Sequence, residues 1–299
     1  MRADQALERL GGVADVAALL RHTSRAGLRR AMRRGRIVRD VRGRYSLPGV
    51  DEARRVANRV NGVLAEDSAA QVYGWKLKHP PPSPCVMVPR NRKLTPERRE
   101  GARVRYRDVD PSRVRSGCTD PVETVMWCAA RMPFDEALTI ADSALRCHDV
   151  TVEELREVAL RMPDRYRERC LRVARHADGR AANPFESVLR SIALEIPGLH
   201  VVPQVWISKI GQPDLADEQL RLVLEADSFE WHGNRFALRK DCERYNAFIV
   251  GGWLVLRFTW EHVMLQPEYV RRVLIAAVAL LDRQPQRRAL EASRAARSA

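Results

Sequence analysis

The sequence predicts a multidomain chain of the α+β and α/β classes. It reads as a small helical domain closed by a hairpin, a mixed α/β middle domain and a C-terminal α/β core. Three observations predict this. A length of 299 residues suits two or three domains, and 45% apolar residues allow a core in each. Amphipathic runs of helical period alternate with short runs of strand character. The charge is also divided: from Asn183 onward 15 Lys and Arg face 14 Asp and Glu, whereas 37 face 24 before it. The net +14 therefore sits almost wholly upstream of a nearly neutral last third.

Residues 1–50 form the first predicted domain. A short amphipathic helix runs from Asp4 to the Gly11-Gly12 break, and a second spans 13–20. Thr23 or Ser24 can cap a third over 25–34, which Gly35 ends. Residues 37–41 and 44–47 flank Arg42-Gly43, a hairpin signal. Three helices and a two-stranded wing make a winged-helix arrangement. Leu28 and Met32, four apart, face its core, while Arg25, Arg29 and Arg33, also four apart, line another face with Arg30 and Arg34 nearby. Such a helix suits the DNA major groove, with Arg42 and Arg44 of the wing near phosphate. A solvated Arg face on a protein-binding winged helix is the competing reading.

Residues 51–180 read as the middle domain. A helix and turn span Val63 to Gly74. His79-Pro-Pro-Pro-Ser-Pro84 is a rigid extended link, 85–89 a short strand and 102–107 an alternating one. Thr119-Asp-Pro opens the first of three helices that reach Ala177. No catalytic constellation is visible in this stretch.

Residues 183–282 form the third domain. Asn183 caps a helix that Pro184 opens. Strands are expected at 199–205, 213–216 and 221–227, a helix at 236–249, a strand at 253–258 and a closing helix at 269–281. Residues 283–299 are a basic tail, either disordered or an extra phosphate contact. Pro213-Asp214 and Glu225-Ala226-Asp227 carry the most information. Side chains two apart on a strand share a face, so Glu225 and Asp227 point the same way. If the two runs pair as a hairpin, Asp214 reaches the same end. Three converging carboxylates suit a hard cation such as Mg²⁺ or Mn²⁺. Glu186 is three residues beyond its cap, so it serves either helix amides or the cation. His232, titrating near neutrality as a free side chain, is a candidate proton carrier or a plain loop residue.

Several classes are excluded or made remote. No run of about 18 apolar residues occurs, so no membrane span is expected. The N-terminus lacks an apolar h-region, so a secretory signal is not expected. Six scattered cysteines without a C-x-x-C pair indicate neither a disulfide framework nor a zinc knuckle. Reduced thiols and a cytoplasmic location are the expectation. A basic module beside a neutral carboxylate module suggests a polyanionic partner.

Helix, three strands, helix, strand, helix is the order of the PD-(D/E)XK nuclease core. The segments Glu186-Ser-Val-Leu-Arg190, Pro203-Gln204, Pro213-Asp214, Leu224-Glu-Ala-Asp227, Trp231-His232, the run from Arg239 to Asn246, and Gly252 to Arg257 resemble the very-short-patch-repair-type endonucleases. Upstream, Leu28-Arg-Arg-Ala with Gly35-Arg-Ile, Gly43-Arg-Tyr, Ser68-Ala-Ala with Gly74, and Thr119 with Pro121 resemble the antitoxin family of abortive-infection, type IV toxin–antitoxin systems. The resemblance implies a restriction-endonuclease-like core, with Asp214 and Glu225 binding Mg²⁺ to hydrolyse a DNA phosphodiester. Asp227 stands where the family pattern often has Lys, so it would hold a second cation or leave the base role to another group. The segment Trp231-His232 matches a family histidine and supports His232. Double-stranded DNA is the implied partner. The alternative is a DNA-binding antitoxin or repressor with an inactive nuclease-like domain, for which a cognate toxin is a further partner. A small-molecule metalloenzyme fits the basic upstream region poorly.

Overall fold

The protein is a multidomain α+β chain of mixed helices and sheets. A computed structural model describes residues 1–207, 210–227 and 235–298, with the backbone path alone at 235–238 and 283–298. In chain order the first elements are α1 (Ala3–Arg9), β1 (Val13–Asp15), α2 (Val16–Leu20), α3 (Arg25–Arg33), β2 (Val38–Val41) and β3 (Arg44–Ser46). Next come α4 (Glu52–Val60), β4 (Val63–Leu64), α5 (Glu66–Val72), β5 (Cys85–Val88), α6 (Pro96–Arg99), β6 (Arg103–Tyr106), β7 (Val114–Arg115), β8 (Cys118–Thr119) and α7 (Pro121–Arg131). Then follow α8 (Phe134–Arg146), α9 (Val152–Arg161), α10 (Asp164–His176), α11 (Pro184–Ala193), β9 (Val202–Pro203), β10 (Leu215–Asp217) and β11 (Leu222–Asp227). The chain closes with α12 (Arg235–Val250), β12 (Leu254–Thr259), α13 (Trp260–Leu265) and α14 (Pro267–Ser298). Two compact units result, Met1–Arg131 with Glu153–Cys170, and Met132–Val152 with Leu171–Ala299.

Among the described residues of the first unit, two small cores surround its sheets. Leu7, Leu19, Leu28 and Ile37 are buried where α1, α2 and α3 meet the sheet β1-β3-β2. The second surrounds the sheet β6-β5-β4-β8-β7 and includes Val60, Leu64, Val86 and Val88. One helix is shorter than its periodicity suggests. Val13–Asp15 pairs with Arg44–Ser46 as a strand, and the carboxylate of Asp15 accepts the Ala18 amide at 2.7 Å. An N-cap residue is extended, so the helix begins only after it. Val63 and Leu64 likewise form a strand rather than the start of a helix, pairing with Met87 and Val86.

In the second unit the sheet order is β12-β11-β10-β9. β10 and β11 form the expected antiparallel hairpin, with Leu215 opposite Leu224 and Asp217 opposite Leu222. β11 runs parallel to β12, which requires a crossover, and α12 supplies it. Alternation decides the faces. Leu222 and Leu224 join Phe185 and Leu189 of α11 and Leu274 of α14, while Val223 turns toward Tyr245 and Phe248 of α12. Strand β9 is shorter than expected. Pro203 lacks an amide donor and Gln204 has φ +54°, which ends the pairing. The last helix continues to Ser298, through residues whose composition suggested a tail. Among the described residues, no helix is long and apolar enough to cross a membrane. All six cysteines are free thiols, four of them buried.

Candidate functional site

The hairpin of the second unit brings Asp214 and Glu225 side by side. Asp214 immediately precedes β10, and its register neighbour across the hairpin is Glu225. The Ala226 amide donates to Asp214 Oδ2 at 2.8 Å, which fixes that carboxylate against the edge of β11. Glu225 is only 3% exposed. Glu186 arrives from the first turn of α11. Asn183 Oδ1 accepts its amide at 3.0 Å, and its own carboxylate accepts from Ala182 N and Asn183 Nδ2, both at 2.8 Å. It is therefore a capping residue. Its Oε2 also accepts from Gln204 Nε2 at 3.0 Å, and the same amide reaches Asp214 Oδ1 at 3.4 Å. Gln204 thus bridges Glu186 to Asp214. A buried ion pair steadies this helix: Arg190 Nη2 lies 2.7 Å from both oxygens of Asp142 on α8.

The electrostatics follow from crowding acids in a dry place. Burial first, and then the charge of Asp214, push Glu186 up to about 7. The same two causes push Glu225 up to about 8, against the pull of Arg244. Asp214 is also raised, chiefly by burial, although the Ala226 amide opposes it. Near neutral pH Glu186 and Glu225 hold protons or call for a cation.

Two cations answer the acids, and sequence reasoning gave neither a role. Arg244 of α12 places Nη1 3.1 Å from Glu225 Oε1 and Nη2 3.3 Å from Oε2. Burial works against its charge, but Glu225 and its other neighbours hold it above its ordinary value. Glu225 Oε1 nevertheless accepts no hydrogen bond. The Nη1 approach is close enough to attract but not aligned to donate, which leaves a buried lone pair free. Arg257 of β12 places Nε 2.6 Å from Asp227 Oδ2, and Tyr245 donates to Asp227 Oδ1 at 3.4 Å. The guanidinium of Arg257 also covers the Tyr245 ring at 4.1 Å. Asp227 is consequently engaged with Arg257, although its charge still raises Asp214 and Glu225. Both arginines lie inside the motif runs 239–246 and 252–257, but only the parallel pairing of β11 with β12 and the packing of α12 show what they face.

A divalent cation fits part of this set. Asp214 and Glu225 are hard oxygen donors, Glu225 buried and Asp214 half-buried, and Glu225 Oε1 has an unused lone pair. Asp227 does not fit while Arg257 and Tyr245 occupy its oxygens. Among the described residues, no group of three or more His, Cys, Asp or Glu is arranged as a ready metal cage. His232 and Trp231 lie outside the described residues. A cleft of about 980 Å³ opens beside Gln204 and Gln212, with Arg146 and Arg180 on its wall.

In the first unit, Arg25, Arg29, Arg30, Arg33 and Arg34 of α3 and its end are all exposed. Ser24 caps this helix by accepting from Gly27 N at 3.1 Å. Leu28 and Ala31 are its buried positions, so the arginines share the outer side. Among the described residues none of them has an acidic partner. Arg42 is exposed in the turn between β2 and β3, and Arg44 is half-buried. Burial lowers the Arg44 guanidinium from its usual value, and Arg92 and Arg98 add to this against Asp15.

No known family model matches the chain. It is similar to uncharacterized proteins from two strains of Mycobacterium tuberculosis, CDC 1551 and H37Rv, at 26% identity over 157 residues. That match covers 50% of this chain, and the chain spans 57% of the length of those relatives. Among solved structures, the RV2827C protein of Mycobacterium tuberculosis aligns over 62% of this chain and 78% of its own, with 17% identity and a TM-score of 0.36.

Proposed function

We propose that the chain is a metal-dependent DNA endonuclease, with a PD-(D/E)XK-type core in its second unit and a winged helix at its N-terminus that delivers it to DNA. The buried Asp214–Glu225 neighbourhood carries this reading. Two acids, both raised by burial and Glu225 further by the charge of Asp214, are held side by side at a strand end, and a cation relieves both. Asp214 and Glu225 would hold Mg²⁺ or Mn²⁺, with Glu186 joined to them through Gln204. The bound cation would polarise the scissile phosphate and acidify a water. Arg244 would offset the negative charge that the lysine of the related pattern offsets elsewhere. Arg146 and Arg180 would line the approach of the phosphate backbone along the cleft. Glu186, held near neutrality, is suited to accept a proton, and His232 is the other candidate for that role.

The experiment is nicking of supercoiled plasmid with Mg²⁺ or Mn²⁺, comparing the wild type with Asp214→Ala. Metal-dependent nicking by the wild type alone is expected. A wild type inert on duplex, mismatched and branched DNA sinks the nuclease reading.

The Arg257–Asp227 pair favours a second reading. An aspartate locked by arginine at the usual lysine position suits a domain that has lost turnover. On that reading the chain is a DNA-binding antitoxin or repressor, and its partners are duplex DNA and a cognate toxin. Repression of its own promoter without nicking would select it.

A further inference from the structure

Strand β6 carries Arg103 and Arg105, and Arg107 follows one residue beyond its end. Residues two apart share a strand face, so the three guanidiniums form a row. The first two are answered by buried acids. Arg103 Nη2 lies 2.6 Å from Asp67 Oδ1, and Arg105 Nε lies 2.8 Å from Glu66 Oε1. The third is not. Among the described residues, the Arg107 side chain has only a ring contact, its guanidinium 4.2 Å over Trp127. Burial lowers Arg107 from its usual value, and Arg90 and Arg131 add to this against Glu123.

Other arginines converge on the same spot. Arg131, at the end of α7, shares Glu66 with Arg105 at 3.3 Å. Arg165 of α10 is exposed and, among the described residues, touches only the Tyr166 ring at 4.6 Å. These side chains surround a pocket of about 270 Å³. Its floor includes the buried Trp127. Two guanidiniums without acids, in a concavity that aromatic rings pre-order, form a site for a phosphoryl group.

We propose that this pocket binds a terminal phosphoryl group, carried by a free nucleotide or by the end of a nucleic-acid strand, with Arg107 and Arg165 on the phosphate. The site lies wholly within the first unit and does not depend on the nuclease reading.

The test is calorimetric titration of the full chain with adenosine 5′-monophosphate and with adenosine, repeated on Arg165→Ala and Arg107→Met. The Met variant keeps an apolar stem over Trp127, and Arg165 is exposed, so thermal melts like the wild type's are expected for both. The expected result is binding of the monophosphate at least about tenfold tighter than adenosine, weakened about tenfold by either variant. Short oligothymidylates with and without a 5′-phosphate separate the sources. A phosphorylated strand that outbinds the mononucleotide identifies a strand end, and the reverse identifies a free nucleotide. Equal binding of monophosphate and adenosine, no heat at millimolar monophosphate, or an Arg165→Ala affinity within about twofold of the wild type overturns the proposal.

Discussion

Arg244 stands 3.1 Å from Glu225, close enough to pair, yet the Glu225 oxygen it approaches accepts no hydrogen bond. The relationship joins α12 to the edge of β11. It gives the acidic site one permanent positive charge while leaving a carboxylate lone pair open. A cation at Asp214 and Glu225 must therefore compete with Arg244 for charge, although not for that lone pair.

Arg244→Gln should separate binding from turnover. Removing a neighbouring positive charge raises the affinity of the carboxylates for Mn²⁺ by several-fold, read as a lower midpoint in a metal-dependent thermal-shift titration. Nicking should fall by at least about tenfold, because the charge that faces the phosphate is gone. A variant unchanged in both readouts would leave Arg244 a structural residue.

Asp227 and Asp214 should respond unequally. Arg257 and Tyr245 already hold the Asp227 oxygens, so Asp227→Asn should keep nicking within about tenfold of the wild type. Asp214→Asn keeps the shape and an acceptor for the Ala226 amide but should lose at least about a hundredfold. Equal losses would return Asp227 to the ligand set.

Glu186 and Glu225 make a pH prediction. Both carry an ordinary value of 4.5 when exposed and are raised in the fold, to about 7 and about 8. For an acid raised on folding, the folded state binds more protons over that interval, so stability falls as pH rises. The contribution is fully present below about 4.5 and is lost through about 8. The melting temperature of the metal-free protein should therefore decline across this window, with the decline reduced in Glu225→Gln and by saturating Mg²⁺. A decline of equal size in the variant would assign it to other groups.

The outer side of α3 should govern duplex binding. Replacing Arg29 and Arg33 with Ala leaves the buried Leu28 and Ala31 untouched, so the fold is retained. If both contact phosphate, affinity falls and the slope of log K against log salt flattens by about 1.8. Fluorescence anisotropy on a labelled duplex at several salt concentrations reads this directly.

The hairpin of Asp214 with Glu225 was legible because its strands carry continuous apolar runs about a polar turn, and its pairing needs no distant partner. Helix α3 was legible for the same local reason, with a cap and a break at its ends. What escaped depends on contacts far apart in the chain. Arg257 meets Asp227 only because β11 and β12 pair in parallel, and Arg244 meets Glu225 only because α12 packs back on the sheet. Buried Glu66 gave no signal either, since its partner Arg105 lies 39 residues away. Glu186 was legible as a helix cap, which its contacts with Ala182 and Asn183 bear out, while its link to Asp214 runs through Gln204, just beyond β9.

Calorimetric titration of Mn²⁺ and Mg²⁺ into the wild type, Asp214→Asn and Glu225→Gln tests the central claim most directly, because it reads metal binding whether or not the site turns over. Saturable binding by the wild type is expected, lost in both variants while their far-ultraviolet circular dichroism stays the same. Binding that survives in both variants, or a wild type that binds neither ion, would contradict it.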